Sequence, residues 1–549
     1  GKIMKRKAVA AVLTAVMVAS MFTGCGSDNG SSSAKSASAA SAASAANDTV
    51  DEDGKVNGIM YQEGLPLVDE GDYTFSIFCD DSSESGEFIM LDEFKKQTNV
   101  DVDLKIYPYE TATERLNLDL NSGDYADVIG GWTLSDNAIL TYGVNQGVFI
   151  PLEDYFEKYC PNISAILDLP GVREKMTAPD GHIYTIPYVC TDTTVGYSPY
   201  INTKWLENVG MSMPTTTDEF EAVLKAFKEQ DANGNGDASD EIPFSTDPNN
   251  KHIEAMAGYF GLPMNKLGIA IQDEKVVYGG VSDTYREFLS WFHKLYAEGL
   301  VDVELYTQDS STWEGKGNQD LYVVSIAYGS NEFTGIPAAE ERGDFDSMPV
   351  LNTDKDGIWL RDTEGFSVYR TQAVITNKAE HPEIICRWFD NAFALENGIG
   401  CNRGPVGVIV NKEDDGYHAI DTTTLSEEDQ EKYSWGNLWP QSLPKYLPVD
   451  FEFVEEHPMY DEKKATEEAY EANLTKEIIP SYWIDLDKID TFSDTNTAIK
   501  DFFEQQQAQF VCGELDIDND ADWQAYVDGM YSLGLEDWVA TQGIEEIAK

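Results

Sequence analysis

Between residues 73 and 130 the chain alternates through five elements. Residues 73–79 read as an apolar strand and 87–97 as a helix with Phe88, Leu91 and Phe94 on its buried stripe. Residues 100–107 alternate as a second strand, 110–121 read as a second helix, and 126–130 as a short third strand. Strands joined through helices form parallel sheets, so the expectation is an α/β lobe. In such sheets ligands collect beyond the C-terminal ends of the strands. Here those ends carry Asp80, Asp81 and Ser82 after the first strand, and Gly131 and Trp132 after the third.

The 549 residues are enough for a second lobe with its own core. Residues 185–187 and 194–197 lead towards it, with Tyr188 and Asp192 at the crossover. A strand ends at Ile201-Asn202 and a short helix follows at 204–207. Thr217 or Asp218 then caps a helix over 219–228, whose Phe220, Val223, Leu224 and Phe227 share one face. Further on come a helix at 284–298 and a fully apolar strand at 321–327, followed by Tyr328, Asn331 and Glu332. Residues 366–376 read as a strand pair or one continuous strand, and 381–396 as a helix. Amphipathic helices are expected at 497–510, 523–533 and 535–547, with Asp516, Asp518 and Asp520 capping the second. No internal repeat is visible.

The helix at 219–228 runs into DANGNGDASDE. Asp231, Asn233, Asn235 and Asp237 stand at every second position, with Gly236 after the third, and Asp240 and Glu241 follow. Calcium takes six to eight hard oxygen ligands, and loops of this spacing turn alternate oxygens inward while a glycine makes the sharp turn. The loop departs from an EF-hand at position twelve, which is Ile242. A polar Asn/Gly turn has similar composition, but five spaced oxygens with the glycine in place favour a structural Ca2+ site. Asn352, Asp354, Asp356 and Gly357 look like half of such a loop and read as a hairpin turn. The six histidines (182, 252, 293, 381, 418 and 457) never come at metal spacing.

A formal charge of -60 excludes nucleic acid as a default partner, because phosphate neutralisation needs a basic surface. It also argues against an anionic ligand held by bulk field, although a local Arg such as Arg403 can hold one carboxylate. Eleven Trp and 28 Tyr suit a surface that stacks sugar rings. Trp435 and Trp439, in SWGNLWPQ, sit in a loop instead of on a helical stripe. Any one of these aromatics also reads as a packing cap, and any one carboxylate as solvated surface charge.

Lys5-Arg6-Lys7 followed by an apolar run at 8–22 is a processing signal. The run ends in Phe22-Thr23-Gly24-Cys25, small residues before a cysteine that resemble the bacterial lipobox. Residues 1–24 are then a lipoprotein signal peptide and Cys25 the lipidated residue. Residues 25–60, Ser/Ala-rich and then acidic, read as a flexible tether. No later stretch reads as a membrane span, so lipid is the only anchor. The other six cysteines are scattered without a CxxC and read as buried free thiols.

INTKWLENVGMSMPTTTDEF together with LKAFKEQDANGNGDASDEIPFS closely resembles the extracellular solute-binding proteins of carbohydrate ABC transporters, in the long lipoprotein subgroup that carries a calcium loop here. SGDYADVI (122–129), DGHIYTIPY (180–188), YAEGLVDVE (296–304) and QFVCGELDIDNDADWQAYVDGMYSLGLEDW (509–538) extend the likeness over nearly all the chain after residue 60. The resemblance implies a two-lobed, periplasmic-binding-protein-like α/β fold with hinge crossovers and a ligand cleft. Lobe 1 would hold 61–190 plus about 366–434, and lobe 2 would hold 191–365 plus about 435–549. It implies a monomeric, non-enzymatic receptor on the outer face of a Gram-positive membrane, which captures an oligosaccharide by lobe closure and passes it to an ABC permease. Two alternatives stand beside it. A secreted glycan-active enzyme would need two carboxylates at fixed separation, and no GxSxG elbow or P-loop is present. A peptide-binding lipoprotein would need a carboxylate-binding Arg.

Overall fold

The computed structural model describes residues 45–81, 86–247, 252–335, 344–454 and 458–549. The signal segment, Cys25, Ser82 and His457 lie outside the described residues. Among the described residues no helix is long and apolar enough to cross a membrane.

The first lobe is the expected α/β unit. It runs β1 (Tyr73–Asp80), α1 (Ile89–Thr98), β2 (Val100–Tyr107), α2 (Tyr109–Ser122) and β3 (Val128–Gly130). β1 lies between β2 and β3 and is parallel to both, from Tyr73 opposite Val100 to Asp80 opposite Tyr107. β2 is an edge strand and carries Asp101, Asp103 and Lys105, charges that discourage pairing with another chain.

A two-stranded ribbon joins the lobes. β4 (Tyr188–Thr191) leads out to β5 (Ser198–Asn202), α3 (Thr217–Glu229), β6 (Ile242–Phe244), α4 (Asp283–Ala297), β7 (Tyr322–Ala327) and β8 (Phe345–Ser347). β5 to β8 form the second sheet, in the order β8-β5-β7-β6. All six residues of β7 are buried, which is why its sequence is apolar on both faces. β9 (Phe366–Tyr369) then returns antiparallel to β4, with Tyr369 opposite Tyr188, and β10 (Ala373–Ile375) adds antiparallel to β3. The run at 366–376 is therefore two strands in two sheets, broken where Arg370 leaves the ribbon to pair with Asp136. After α5 (Pro382–Ala392), the helices α6 (Pro458–Tyr470) and α7 (Ile489–Cys512) follow, and α7 packs on α4.

Each lobe has its own core. Phe75, Ile77, Phe94 and Trp388 centre the first. Phe220, Phe288, Trp359 and Phe503 centre the second, with Val223, Leu224 and Phe227 of α3 buried beside them. Cys79, Cys160, Cys190, Cys386, Cys401 and Cys512 are free thiols.

Four expectations need correction. The tether does not extend to residue 60: Ala45, Val56 and Met60 are buried in the first core, Tyr159 donates to Asp48 (2.8 Å) and Arg387 donates to the carbonyls of Tyr61 and Gly64. A polar segment with few apolar residues docks when a finished surface receives them. The passage to the second lobe also falls later than 435, since Trp439 and Leu443 are fully buried in the first core and Tyr470 of α6 is buried in the second. The cap of α3 is Thr216, whose hydroxyl accepts from Glu219 N (3.2 Å). The helix over Asp520–Ser532 is capped by Asn519; Asp520 pairs with Arg286 and Asp518 accepts from Ser290.

Candidate ligand cleft and metal loop

Asp80 ends β1 with its side chain buried. Its two oxygens accept the backbone N–H groups of Trp132 (3.0 Å) and Thr133 (2.6 Å). Gly131 sits at φ 133°, and a Cβ there would lie 2.2 Å from Asp80 Oδ1, so only glycine lets the turn close on the carboxylate. Asp80 thus holds the turn that presents Trp132, and its oxygens are engaged by protein. Asp81 is buried as well and accepts from Gln441 N (2.6 Å), tying the 435–443 loop to the end of the sheet.

Trp132 is 46% exposed. Its ring stands edge-on to Tyr369 (5.3 Å between centroids) and 6.3 Å from Tyr188, and the two tyrosines face each other across the ribbon at 5.4 Å. Burial, with Cys190 and Asp192 adding, pushes the Tyr369 hydroxyl up to about 12. Asp192 lies on the same ribbon, where one oxygen accepts from Thr193 N (2.8 Å) and the other from the Ser367 hydroxyl (2.5 Å).

On the second lobe Tyr197 stacks on His252 (4.0 Å, 15°) and meets Tyr328 edge-on (6.1 Å). Burial lowers the His252 ring to about 4, so it is neutral near pH 7. The Tyr328 ring lies 4.1 Å from the Lys463 ammonium. Asn331 opens the short helical turn Asn331–Thr334, and Glu332 Oε2 accepts from Tyr328 N (2.9 Å). Desolvation raises the Glu332 carboxyl, and Lys463 opposes that shift.

Of the two tryptophans in SWGNLWPQ, Trp435 is 58% exposed and Trp439 fully buried. Trp439 stacks on Trp388 (5.7 Å) and packs on Phe94 (5.1 Å), so it is a core residue and leaves the ligand-facing set. Tyr197, His252, Tyr369, Lys445 and Lys463 were not singled out from sequence. Tyr369 could have been found as the register partner of Tyr188; the two lysines gave no local signal.

The loop after α3 folds on its own oxygens. Asp231 Oδ2 accepts Gly236 N (2.8 Å), Asn233 Oδ1 accepts Asn235 N (2.9 Å) and Asn235 Oδ1 accepts Asp237 N (2.8 Å). Asn233 and Asn235 both donate to Asp240, and Asp237 accepts from the Ser239 hydroxyl. Glu241 Oε1 accepts Ala232 N (2.8 Å). Asp231 Oδ1 and Glu241 Oε2 are buried with no hydrogen-bond partner. Burial raises the Glu241 carboxyl and Asp240 adds to the shift. Buried carboxylate oxygens without donors, beside further carboxylates, are costly unless a cation neutralises them. This oxygen set fits Ca2+.

The model of the bacterial extracellular solute-binding protein family matches residues 81–398. The chain belongs to that family. As a solute-binding protein of ABC transport it captures a solute between two lobes and delivers it to a permease, and it is not an enzyme. It is 31% identical over 411 residues to the fructooligosaccharide ABC transporter substrate-binding protein FusA of Streptococcus pneumoniae, covering 72% of this chain and 70% of that one. Two solved FusA structures superpose on it. FusA in complex with kestose gives a TM-score of 0.74 at 26% identity, over 85% of this chain and 98% of that one. A FusA EF-hand mutant in complex with fructo-nystose gives 0.73 at 27%, over 85% and 98%.

Proposed function

We propose that the protein is a lipid-anchored receptor that encloses an oligosaccharide between its lobes and presents it to an ABC permease. The observation that carries this reading is the paired aromatic surface at the hinge: Trp132, Tyr188 and Tyr369 on one side, Tyr197 and Tyr328 on the other. Flat rings stack on the C–H faces of sugars, and Glu332, Asn331 and Asp192 supply planar acceptors for hydroxyl pairs. FusA, of like fold and 31% identity, is named for fructooligosaccharides. Asp80 and Asp81 act from behind, holding the loops of Trp132 and Trp435. The protein acts as a monomer, anchored through acylated Cys25 at the outer face of the membrane, and a structural Ca2+ on Asp231, Asn233, Asn235, Asp237, Asp240 and Glu241 pins the loop after α3.

The test is titration calorimetry and thermal unfolding, in calcium, with fructooligosaccharides and other oligosaccharide series. Saturable binding with the glycan intact afterwards, at least tenfold weaker in Trp132→Ala, supports the reading. Binding that Trp132→Ala leaves unchanged, or response only to peptides, overturns it.

A further inference from the structure

Between α6 and α7 the chain leaves the second lobe, lies on the first and returns. Tyr470, at the end of α6, is buried in the second core, and Thr475 N still donates to the Trp359 carbonyl there (2.9 Å). Trp483 then packs on a smaller first-lobe cluster that holds Phe78, Tyr184 and Val374, and its indole N–H donates to the Lys175 carbonyl (3.1 Å). Ile484 and Ile489 cluster with Leu140 of the first lobe, and at Ile499 and Phe503 α7 is back in the second core. Residues 475–489 are thus a strap that the second lobe lays across the first, separate from the β4–β9 ribbon. Beneath it is a cavity of about 670 Å³, lined by Leu140 of the first lobe, Ile269, Val276 and Ile544 of the second, and Pro480 and Tyr482 of the strap. Over that cavity the strap has no packed floor, so its place depends on its anchors. The polar anchor is Arg370, 7% exposed and next after Tyr369 of β9. Its Nε and Nη2 fork onto the two oxygens of Asp136 (2.9 and 2.5 Å). It also donates to the carbonyls of Tyr482 (2.9 Å) and Ser481 (3.4 Å), and its guanidinium lies 4.1 Å from the centroid of the Trp483 ring.

We propose that Arg370 is a positioning residue for the sugar platform. Through Asp136 it holds the turn of Trp132 against Tyr369, and through the Ser481 and Tyr482 carbonyls it ties that platform to the strap, so that sugar binding and strap docking support each other. This rests on the oligosaccharide reading above. Asp80 fixes the turn at Trp132 and Thr133, and the guanidinium holds it four residues on, at Asp136. Arg370 itself follows Tyr369, the ring that Trp132 meets edge-on at 5.3 Å. The circuit from Trp132 through Asp136 and Arg370 to Tyr369 is therefore closed. It takes a planar fork to close it, because one group meets two carboxylate oxygens and two carbonyls from fixed directions, and an ammonium has three donors and no plane. A strap held by a few anchors over a cavity is the kind of segment that opens locally at low cost. Sugar stacked on Trp132 and Tyr369 favours the state in which Arg370 is in place, and by linkage the docked strap favours sugar to the same degree.

The experiment titrates the calcium-loaded protein with the oligosaccharide series that the parent binds, beginning with kestose-series fructooligosaccharides. Amide hydrogen exchange over residues 475–489 is followed with and without saturating sugar. In the parent, sugar is expected to slow exchange in the strap. Arg370→Met is expected to weaken binding about tenfold, the scale of one displaced aromatic contact, and to leave strap exchange indifferent to sugar. Arg370→Lys, which keeps the charge opposite Asp136 and loses the fork, falls between parent and Arg370→Met. Asp136→Asn, which leaves the strap carbonyls their donor, weakens binding and uncouples the strap from sugar, and combined with Arg370→Met it adds little, because both break one link. Strap exchange unaltered by a sugar that binds overturns the proposal. So does unaltered affinity in Arg370→Met and Asp136→Asn, and where Trp132→Ala is weakened in the same series the oligosaccharide reading still stands. Lower stability with affinity and sugar-dependent exchange intact makes Arg370 a structural residue only, and equally overturns the proposal. A parent that binds no oligosaccharide overturns both readings. Unfolding without sugar is measured alongside, and should Arg370→Met not fold, Asp136→Asn and Arg370→Lys carry the same test.

Discussion

Lys463 and Lys445 are both lysines whose ammonium groups are buried beside an exposed or half-buried aromatic ring. Lys463 closes a network inside the protein: the carbonyls it binds belong to the crossing segment and to the end of β7. Lys445 has most of its hydrogen-bonding capacity left over. The same contrast recurs between Asp80, whose oxygens are filled by the turn of Trp132, and Asp231 and Glu241, each of which leaves one buried oxygen unmatched. Polar groups that the chain satisfies hold the architecture. Groups that it leaves short cost stability unless something else meets them.

The largest effect expected from that contrast is at Lys463. Lys463→Met should cost about 3 kcal/mol of folding stability, because it strands the Gly196 carbonyl and takes one donor each from the carbonyls of Val195 and Tyr328, which keep only the hydroxyls of Thr193 and Tyr200. Urea unfolding checks it, and a loss no greater than that of Lys445→Met would break the distinction between the two lysines. Next is calcium. Moving from a hundredfold excess over its dissociation constant to chelator should lower stability by about 2.7 kcal/mol. Asp231→Asn should remove most of that calcium dependence, and identical melting of the parent with and without chelator would make the loop a turn held by its own hydrogen bonds. Asp80→Ala should cost about 2 kcal/mol by leaving the Trp132 and Thr133 N–H groups without their acceptor. It should also weaken sugar binding through a displaced Trp132, followed by tryptophan fluorescence and calorimetry.

The smallest effect sharpens the comparison most. Lys445→Met should not lower stability at pH 7, since the group removed is a poorly satisfied buried ammonium whose charge itself costs stability there. Its pH dependence carries a definite sign. The folded state holds Lys445 at about 8 against an ordinary 10.5. Between these values the unfolded chain binds more protons, so this lysine makes stability rise with pH, and below pH 8 its full cost remains. Stability of the Met variant relative to the parent should therefore decline from pH 8 towards 10. A difference that stays flat over that range would show that Lys445 is not the buried ammonium described here.

The alternation of residues 73–130 announced a parallel lobe, and β1, β2 and β3 fall where that pattern placed them. Such patterns are local: a strand buried on both faces is apolar throughout, and a helix on a core shows a stripe. The spacing of oxygens at 231–237 is local in the same way, and there the chain turns on Asp231, Asn233 and Asn235, which accept backbone N–H groups within the loop. What failed was whatever depended on distant contacts. Trp435 and Trp439 lie in one short loop and look alike in sequence, yet one stands in solvent and the other is wedged between Phe94 and Trp388. Asp80 looked like a ligand residue because it ends a strand, and only the approach of Gly131 shows that its oxygens are spoken for.

By itself the sequence determined the α/β class and the oxygen-rich loop, which follow from periodicity and spacing along the chain, while the two-lobed family came from its resemblance to solute-binding proteins. The tertiary structure alone decided which polar groups are satisfied. A hydrogen bond between Lys463 and Val195 spans 268 positions, and no local rule distinguishes that lysine from Lys445. Whether a buried charge holds the protein together or awaits a ligand depends on partners that folding brings from elsewhere in the chain.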